Sequence, residues 1–180
     1  AIYLGVLMSL VMFLVRTSFP EIATLAPDHD AKTGKQMLTD VVDKPLAQCP
    51  HLKIIRVDMS IYFGSLNHVQ NSLHRISEFD GVKDILVVGT GINLIDLSGA
   101  EMLCEEAERL DDMGGGLYFA DLKASAYESL ARSHSVKAIG NSHFYDEKRD
   151  AITTLQRYFR RTGRCEGCTH RVFRECRSED

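Results

Sequence analysis

The chain has 180 residues, a net charge of −4 and 44% hydrophobic residues, which sets the expectation of one globular domain with extensions. That composition excludes a low-complexity or collagenous chain, and the mild acidity of the body argues against a nucleic-acid-binding domain. Five cysteines, three of them crowded at the C-terminal end, do not make a secreted disulfide framework and suit a reducing compartment.

The chain begins with the uncharged run AIYLGVLMSLVMFLV, whose only polar groups are Tyr3 and Ser9. A spanning helix needs about 20 apolar residues, so the run reads as the end of a transmembrane helix whose first turns lie upstream. No basic segment precedes it and no small-residue cleavage site follows it, which argues against a signal peptide. Arg16, Lys32, Lys35 and Lys44 come after it, and basic residues on the exit side predict a cytoplasmic location there. By length alone the run also fits a buried helix of a soluble domain, but its lack of any charge favours the membrane. Residues 1–19 are therefore assigned to the membrane helix. Residues 20–35, with Pro20, Pro27 and Gly34 among scattered charges, read as a linker.

Next comes an edge strand from Gln36 to Lys44, stopped by Pro45, and a strand from Lys53 to Ser60 with Ile55, Val57 and Met59 on one face. Val69, Leu73 and Ile76 fall at helical spacing within 67–76. Ile85-Leu86-Val87-Val88 is an unbroken apolar run inside 82–90 and predicts a strand buried on both faces. Ala100, Leu103, Cys104, Ala107 and Leu110 then mark one face of a helix over 98–112. A strand at 116–121, a helix at 124–133, a short strand at 136–139 and a helix carrying Ala151, Ile152, Leu155, Tyr158 and Phe159 complete the pattern. Strands alternate with helices, so the expected class is α/β, with a mixed, mostly parallel sheet and about four helices.

The stretch between the buried strand and the 98–112 helix is the most informative. It runs Gly91-Ile92-Asn93-Leu94-Ile95-Asp96-Leu97-Ser98-Gly99-Ala100 and delivers Asp96 and Ser98 to a helix start. A phosphate is well tolerated there, because free amides and the helix dipole face it. On spacing alone, capping of the helix by Asp96 or Ser98 is the commoner job.

These residues carry a resemblance. Ile95-Asp96-Leu97-Ser98-Gly99 resembles the Asp-x-Ser-Gly loop of STAS domains, found in bacterial anti-sigma-factor antagonists and in the tails of SulP anion transporters. Ile54–Gly64, which includes the aromatic pair Tyr62-Phe63, resembles the strand before the first helix in SulP tails. Gly114-Gly115-Gly116-Leu117-Tyr118 leads into a strand as such tails do, and the likeness covers about residues 36–160. It implies the STAS fold, with helices mainly against one face of the sheet, following the partial membrane helix. It also implies a cytoplasmic regulatory or assembly domain of a secondary transporter for sulfate, bicarbonate or a related anion, at the inner (plasma) membrane. Asp96, Ser98 and Gly99 would form a regulatory loop, with Ser98 matching the serine that a kinase phosphorylates in the antagonists. The implied partners are the membrane domain of the same polypeptide, a second copy in a homodimer, and a kinase or an acyl carrier protein. The alternative is a free signalling switch phosphorylated at Ser98.

Residues 161–180 form a Cys- and Arg-rich tail. Cys165, Cys168, His170 and Cys176 supply three thiols and an imidazole, enough for one tetrahedral zinc ion. The two-residue step from Cys168 to His170 is closer than usual ligand pairs, so a redox dithiol or plain reduced thiols stay open. Otherwise no cofactor is expected. Gly89-Thr90-Gly91 lacks the third glycine of a dinucleotide loop, since Leu94 stands there, and Ser133-His134-Ser135 lies in no nucleophile elbow. No nucleophile, base and oxyanion hole assemble, so the domain reads as non-catalytic.

Overall fold

The computed structural model describes residues 2–29 and 36–176. Its elements are α1 (Ile2–Ser18), β1 (Glu21–His29), β2 (Gln36–Asp40), β3 (Leu52–Asp58), α2 (Leu66–Glu78) and β4 (Asp84–Val88). They continue with α3 (Leu97–Asp112), β5 (Gly116–Ala120), α4 (Ala124–Arg132), α5 (Ser135–Ile139), β6 (Phe144–Tyr145) and α6 (Lys148–Arg161). One six-stranded sheet runs in the order β2-β1-β3-β4-β5-β6. β1 is antiparallel to both of its neighbours, and β3 through β6 are parallel. The expected mixed, mostly parallel α/β sheet is therefore what forms.

The parallel strands sort their side chains by register. Ile55 pairs with Val87, which pairs with Phe119, and this row faces Val69 and Leu73 of α2, Leu103 and Leu110 of α3, and Leu130 of α4. Ile54, Leu86 and Tyr118 point the other way, onto Leu155 and Phe159 of α6 and onto Phe173. β4 is buried along its whole length, as its uninterrupted apolar run requires. Each of these fully buried apolar side chains contributes about 1.5–3 kcal/mol. Helices thus cover both faces: α2 to α5 on one, α6 with the segment after it on the other.

Three sequence expectations change. Residues 20–35, read as a linker, contain β1, which sits inside the sheet between β2 and β3. Ala23, Leu25 and Ala26 are buried, and Pro27 falls where β1 has only β2 beside it, a place where a missing N–H is tolerated. The rest of that stretch, with Lys32 and Lys35, lies outside the described residues, as do 177–180 of the tail.

Residues 136–139, read as a strand, form α5 instead. Four residues are too few for periodicity to decide, and Val136 and Ile139 turn to the same core at helical spacing. Left-handed His134 (φ 60°) and Gly140 (φ 113°) bracket the helix, and Phe144–Tyr145 takes the place beside β5. Met59, expected to continue the buried face of β3, leaves the strand at φ 134°. That backbone is strained for a non-glycine residue, at a cost of about 1–3 kcal/mol, and it lies next to the loop described below.

The triple glycine does what a helix end asks of it. Gly114 (φ 76°) turns the chain out of α3, and the Gly114 and Gly115 amides donate to the Asp111 and Leu110 carbonyls. Between α2 and α3 lies a polar seam. Glu106 is 2% exposed and receives the Arg109 guanidinium on Oε2 (2.8 and 3.0 Å) and the Gln70 amide on Oε1 (3.1 Å). His74 Nε2 stands 2.7 Å from the same Oε1, and Arg109 also donates to Ser77 Oγ at 3.0 Å.

Candidate functional site

The candidate loop leaves the C-terminal end of β4 through a tight turn at Gly89–Gly91 and enters α3 at Leu97. It runs alongside the segment that leaves β3, in a short parallel bridge. The Ile61 amide donates to Leu94 O at 3.0 Å, the Asp96 amide to Ile61 O at 3.1 Å, and the Met59 amide to Gly91 O at 3.2 Å. The two crossover loops are therefore stitched into one surface at one end of the sheet.

Asp96 is the fastener. It is the N-cap of α3 in extended conformation, and its Oδ1 accepts from the Gly99 amide at 2.7 Å. Its Oδ2 accepts from the Phe63 amide at 3.0 Å, which ties α3 to the turn before α2. Gly99 is required by proximity: a Cβ there would sit 2.7 Å from the Ile61 carbonyl oxygen. Asp96→Ala is expected to cost about 1–2 kcal/mol, the upper part of the range for a lost cap, because a second amide loses its acceptor as well. Urea unfolding measures it, and Asp96→Asn, which keeps an acceptor oxygen, should recover part of the loss.

Ser98 is half-buried at the second position of α3, beside the Asp96 carboxylate and in the turn whose amides lack helical acceptors. Exposed Glu101 and Glu105 follow on α3, whereas Glu106 is turned into the α2–α3 seam and neutralised there. Around the serine the surface is apolar: Phe63, Leu94 and Leu97 are exposed. α1 ends close by, where Phe19 packs edge-on against the His68 ring with centroids 5.4 Å apart.

The tail cysteines come together at a different place, beneath α6. Cys165, Cys168, His170 and Cys176 line one cavity of about 930 Å³, and so does Cys49 from the loop before β3. Spacing could not reveal Cys49, which is more than a hundred residues away in sequence; its only local signal is the turn at Cys49-Pro50. Burial raises the Cys49, Cys165 and Cys176 thiols above their ordinary range, and neighbouring thiols add to the rise in each case. None of the five cysteines is joined to another by a disulfide. Among the described residues, no three His, Cys, Asp or Glu side chains are arranged to hold a metal ion.

The STAS domain family matches residues 44–151. The chain is 25% identical over 127 residues to the Arabidopsis thaliana protein named "Probable sulfate transporter 3.4", and spans 65% of its own length and 19% of that relative. The structure of the murine Solute Carrier 26 family member A9 anion transporter in the inward-facing state is similar with a TM-score of 0.74. That likeness has 18% identity and covers 87% of this chain and 25% of the transporter. The anti-sigma factor antagonist SpoIIAA in its unphosphorylated form gives a TM-score of 0.51 at 11% identity, over 60% of this chain and 90% of the antagonist. At these identities, structural likeness speaks to the fold. The family match covers more than half of the chain and takes in β3 to β6 and the loop described above; the chain belongs to the STAS domain family.

Proposed function

We propose that this chain is the STAS portion of a SulP-like secondary anion transporter, a non-catalytic regulatory and assembly domain on the cytoplasmic side of the inner (plasma) membrane. The observation that carries the reading is the extent of the structural likeness. The anion transporter covers 87% of the chain, an extent that has to reach N-terminal to residue 44, while the antagonist covers 60%. α1 adds support, for its large apolar side chains from Ile2 to Val15 are each 49–90% exposed. Such a surface calls for lipid or other apolar helices around it. No helix among the described residues is long and apolar enough to cross a membrane. In this proposal α1 packs within the membrane part of the same polypeptide.

The Asp96–Ser98 loop is then the natural coupling point, because it shares an end of the domain with the close of α1. A phosphate on Ser98 would add about −1.5 to −2 charges. The α3 dipole favours that charge, while Asp96, Glu101 and Glu105 oppose it. Sulfate, bicarbonate or a related anion is the proposed cargo. A second copy of the chain and a kinase or an acyl carrier protein are the proposed partners.

Uptake of labelled sulfate and labelled bicarbonate by cells carrying the complete reading frame tests this, beside a version stopped after Arg16. Uptake should need the gene and change on truncation. Ser98→Asp should differ from Ser98→Ala by about fivefold, the low end of ordinary coupling between sites. Equal rates for the two Ser98 variants would remove the switch while leaving the transporter. No uptake of either anion, with the chain in the soluble fraction bound to a kinase, would replace the whole reading with a free signalling switch.

A further inference from the structure

The turn that follows α6 plays no part in the proposed function, yet it is anchored at both ends and carries two of the cysteines. α6 stops where the Gly163 amide donates to Arg160 O at 3.1 Å and the Arg164 amide to Phe159 O at 2.9 Å, with Gly163 left-handed (φ 75°). Arg164 is then fixed by its 2.6 Å contact with the buried Asp84 carboxylate. Beyond the turn, Val172 and Phe173 are buried in the core beneath α6. Between these anchors stand Cys165, Glu166, Gly167 and Cys168.

The turn has the shape that a disulfide needs. The Cys168 amide donates to Cys165 O at 3.2 Å, and left-handed Gly167 (φ 72°) stands third, as in a type II turn. The first and fourth Cα atoms of such a turn lie within about 7 Å, and a disulfide spans about 4.4–6.8 Å. Cys165 and Cys168 line the same cavity, so their side chains face a shared space, and both are partly exposed, so a small reagent can reach them. Cys176 lines that cavity too but is engaged elsewhere, donating to Gln156 Oε1 at 3.3 Å.

We propose that Cys165 and Cys168 are a redox-active dithiol, which closes to an intramolecular disulfide by exchange with a low-molecular-weight disulfide such as oxidised glutathione. One cysteine thiolate attacks the small disulfide, forming a mixed disulfide and releasing one small thiolate. The other cysteine, as its thiolate, attacks the sulfur of the first, forms the protein disulfide and releases the second small thiolate. Two protein thiols are oxidised, one small disulfide is reduced, and the two cysteine protons end on the two small thiols. Excess small thiol reverses both steps, so in a reducing compartment the pair opens and closes with the thiol poise. Burial raises the Cys165 thiol, so closure should be slow near neutral pH and quicken as the pH rises. Because the turn is already formed while both thiols are free, closure costs the folded chain less ordering than it costs the unfolded one. By linkage, the disulfide stabilises the fold by the same factor.

The test equilibrates the chain in glutathione buffers of graded ratio, quenches with acid, and counts free thiols by alkylation and mass spectrometry. Wild type should lose two thiols in one two-electron transition, and peptide mapping should join Cys165 to Cys168. The equilibrium constant for closure should be about tenfold greater in buffer than in concentrated urea, within the ordinary range of coupling. Cys165→Ser and Cys168→Ser should each abolish the transition, whereas Cys49→Ser, Cys104→Ser and Cys176→Ser should retain it. Mapping of the wild type decides the pair even if a variant fails to fold. A dominant bridge to Cys176, or glutathione adducts with no internal bridge, would overturn the proposal. A closure constant no greater in buffer than in urea would do the same, since the fold would then contribute nothing to the pair.

Discussion

Glu106→Ala is expected to destabilise the domain by about 3–5 kcal/mol, the range for removing one partner of a buried ion pair. The carboxylate is 2% exposed and is the common acceptor for Arg109 and Gln70, with His74 Nε2 against the same group. Its loss leaves the Arg109 guanidinium, 25% exposed, without its carboxylate, and removes the oxygen that Gln70 and His74 of α2 meet on α3. Glu106→Gln should lose less. The amide oxygen can keep the Arg109 contacts, while its NH₂ meets the Gln70 amide N–H that Oε1 had accepted, so part of the loss stays. Equilibrium urea unfolding of the three proteins gives the comparison. Equal stability for Glu106→Ala and wild type would mean that apolar packing alone holds α2 on α3.

Arg164→Ala is expected to cost about 3 kcal/mol near pH 7, the low end of the buried-pair range because Arg164 itself is partly exposed. Arg164 donates to Asp84 Oδ2 at 2.6 Å and to Gly114 O at 2.5 Å, and its guanidinium lies over the Tyr158 and Phe159 rings. Asp84 is 2% exposed and also accepts from the Tyr118 hydroxyl at 3.3 Å. Burial pushes the Asp84 carboxyl above its ordinary 3.8, and Arg164 opposes that push.

The pH dependence follows from that sign. A carboxyl whose folded pKa is raised binds its proton more readily in the native state, so its contribution to stability falls as pH rises from the unfolded pKa through the folded one. Removing Arg164 raises the folded pKa further and deepens the fall. The gap between wild type and Arg164→Ala should therefore be widest near pH 7. It should shrink as the pH falls and Asp84 takes up its proton in the folded state of both proteins, because the lost partner then faces a neutral carboxyl. A gap that stays constant over that span would mean that the loss is one of packing on Tyr158 and Phe159, not of charge.

The α/β class, the order of most elements and the loop that ends in Gly99 are legible in the residues alone. Each rests on a local signal. Ile85–Val88 has to be buried on both faces because no polar residue interrupts it, and the spacing of Ala100, Leu103, Ala107 and Leu110 leaves one helical face to bury. Asp96 could be read as a cap because its residue type and position suffice for that role. The rest depends on contacts between residues far apart in the chain. β1 is a strand because neighbours on both sides complete its ladder, and nothing in residues 21–29 announces those neighbours. Residues 136–139 became a helix because Val136 and Ile139 face a core built by distant elements, which outweighs their β-branched preference. Ser98 was legible, but not the Phe63 amide that shares its cap residue from 33 positions away. Glu106, a charge on a helix in sequence, became a buried junction once α2 lay across it. Cys49 joined Cys165, Cys168 and Cys176 only through the fold, since spacing reports neighbours along the chain and a cavity gathers neighbours in space.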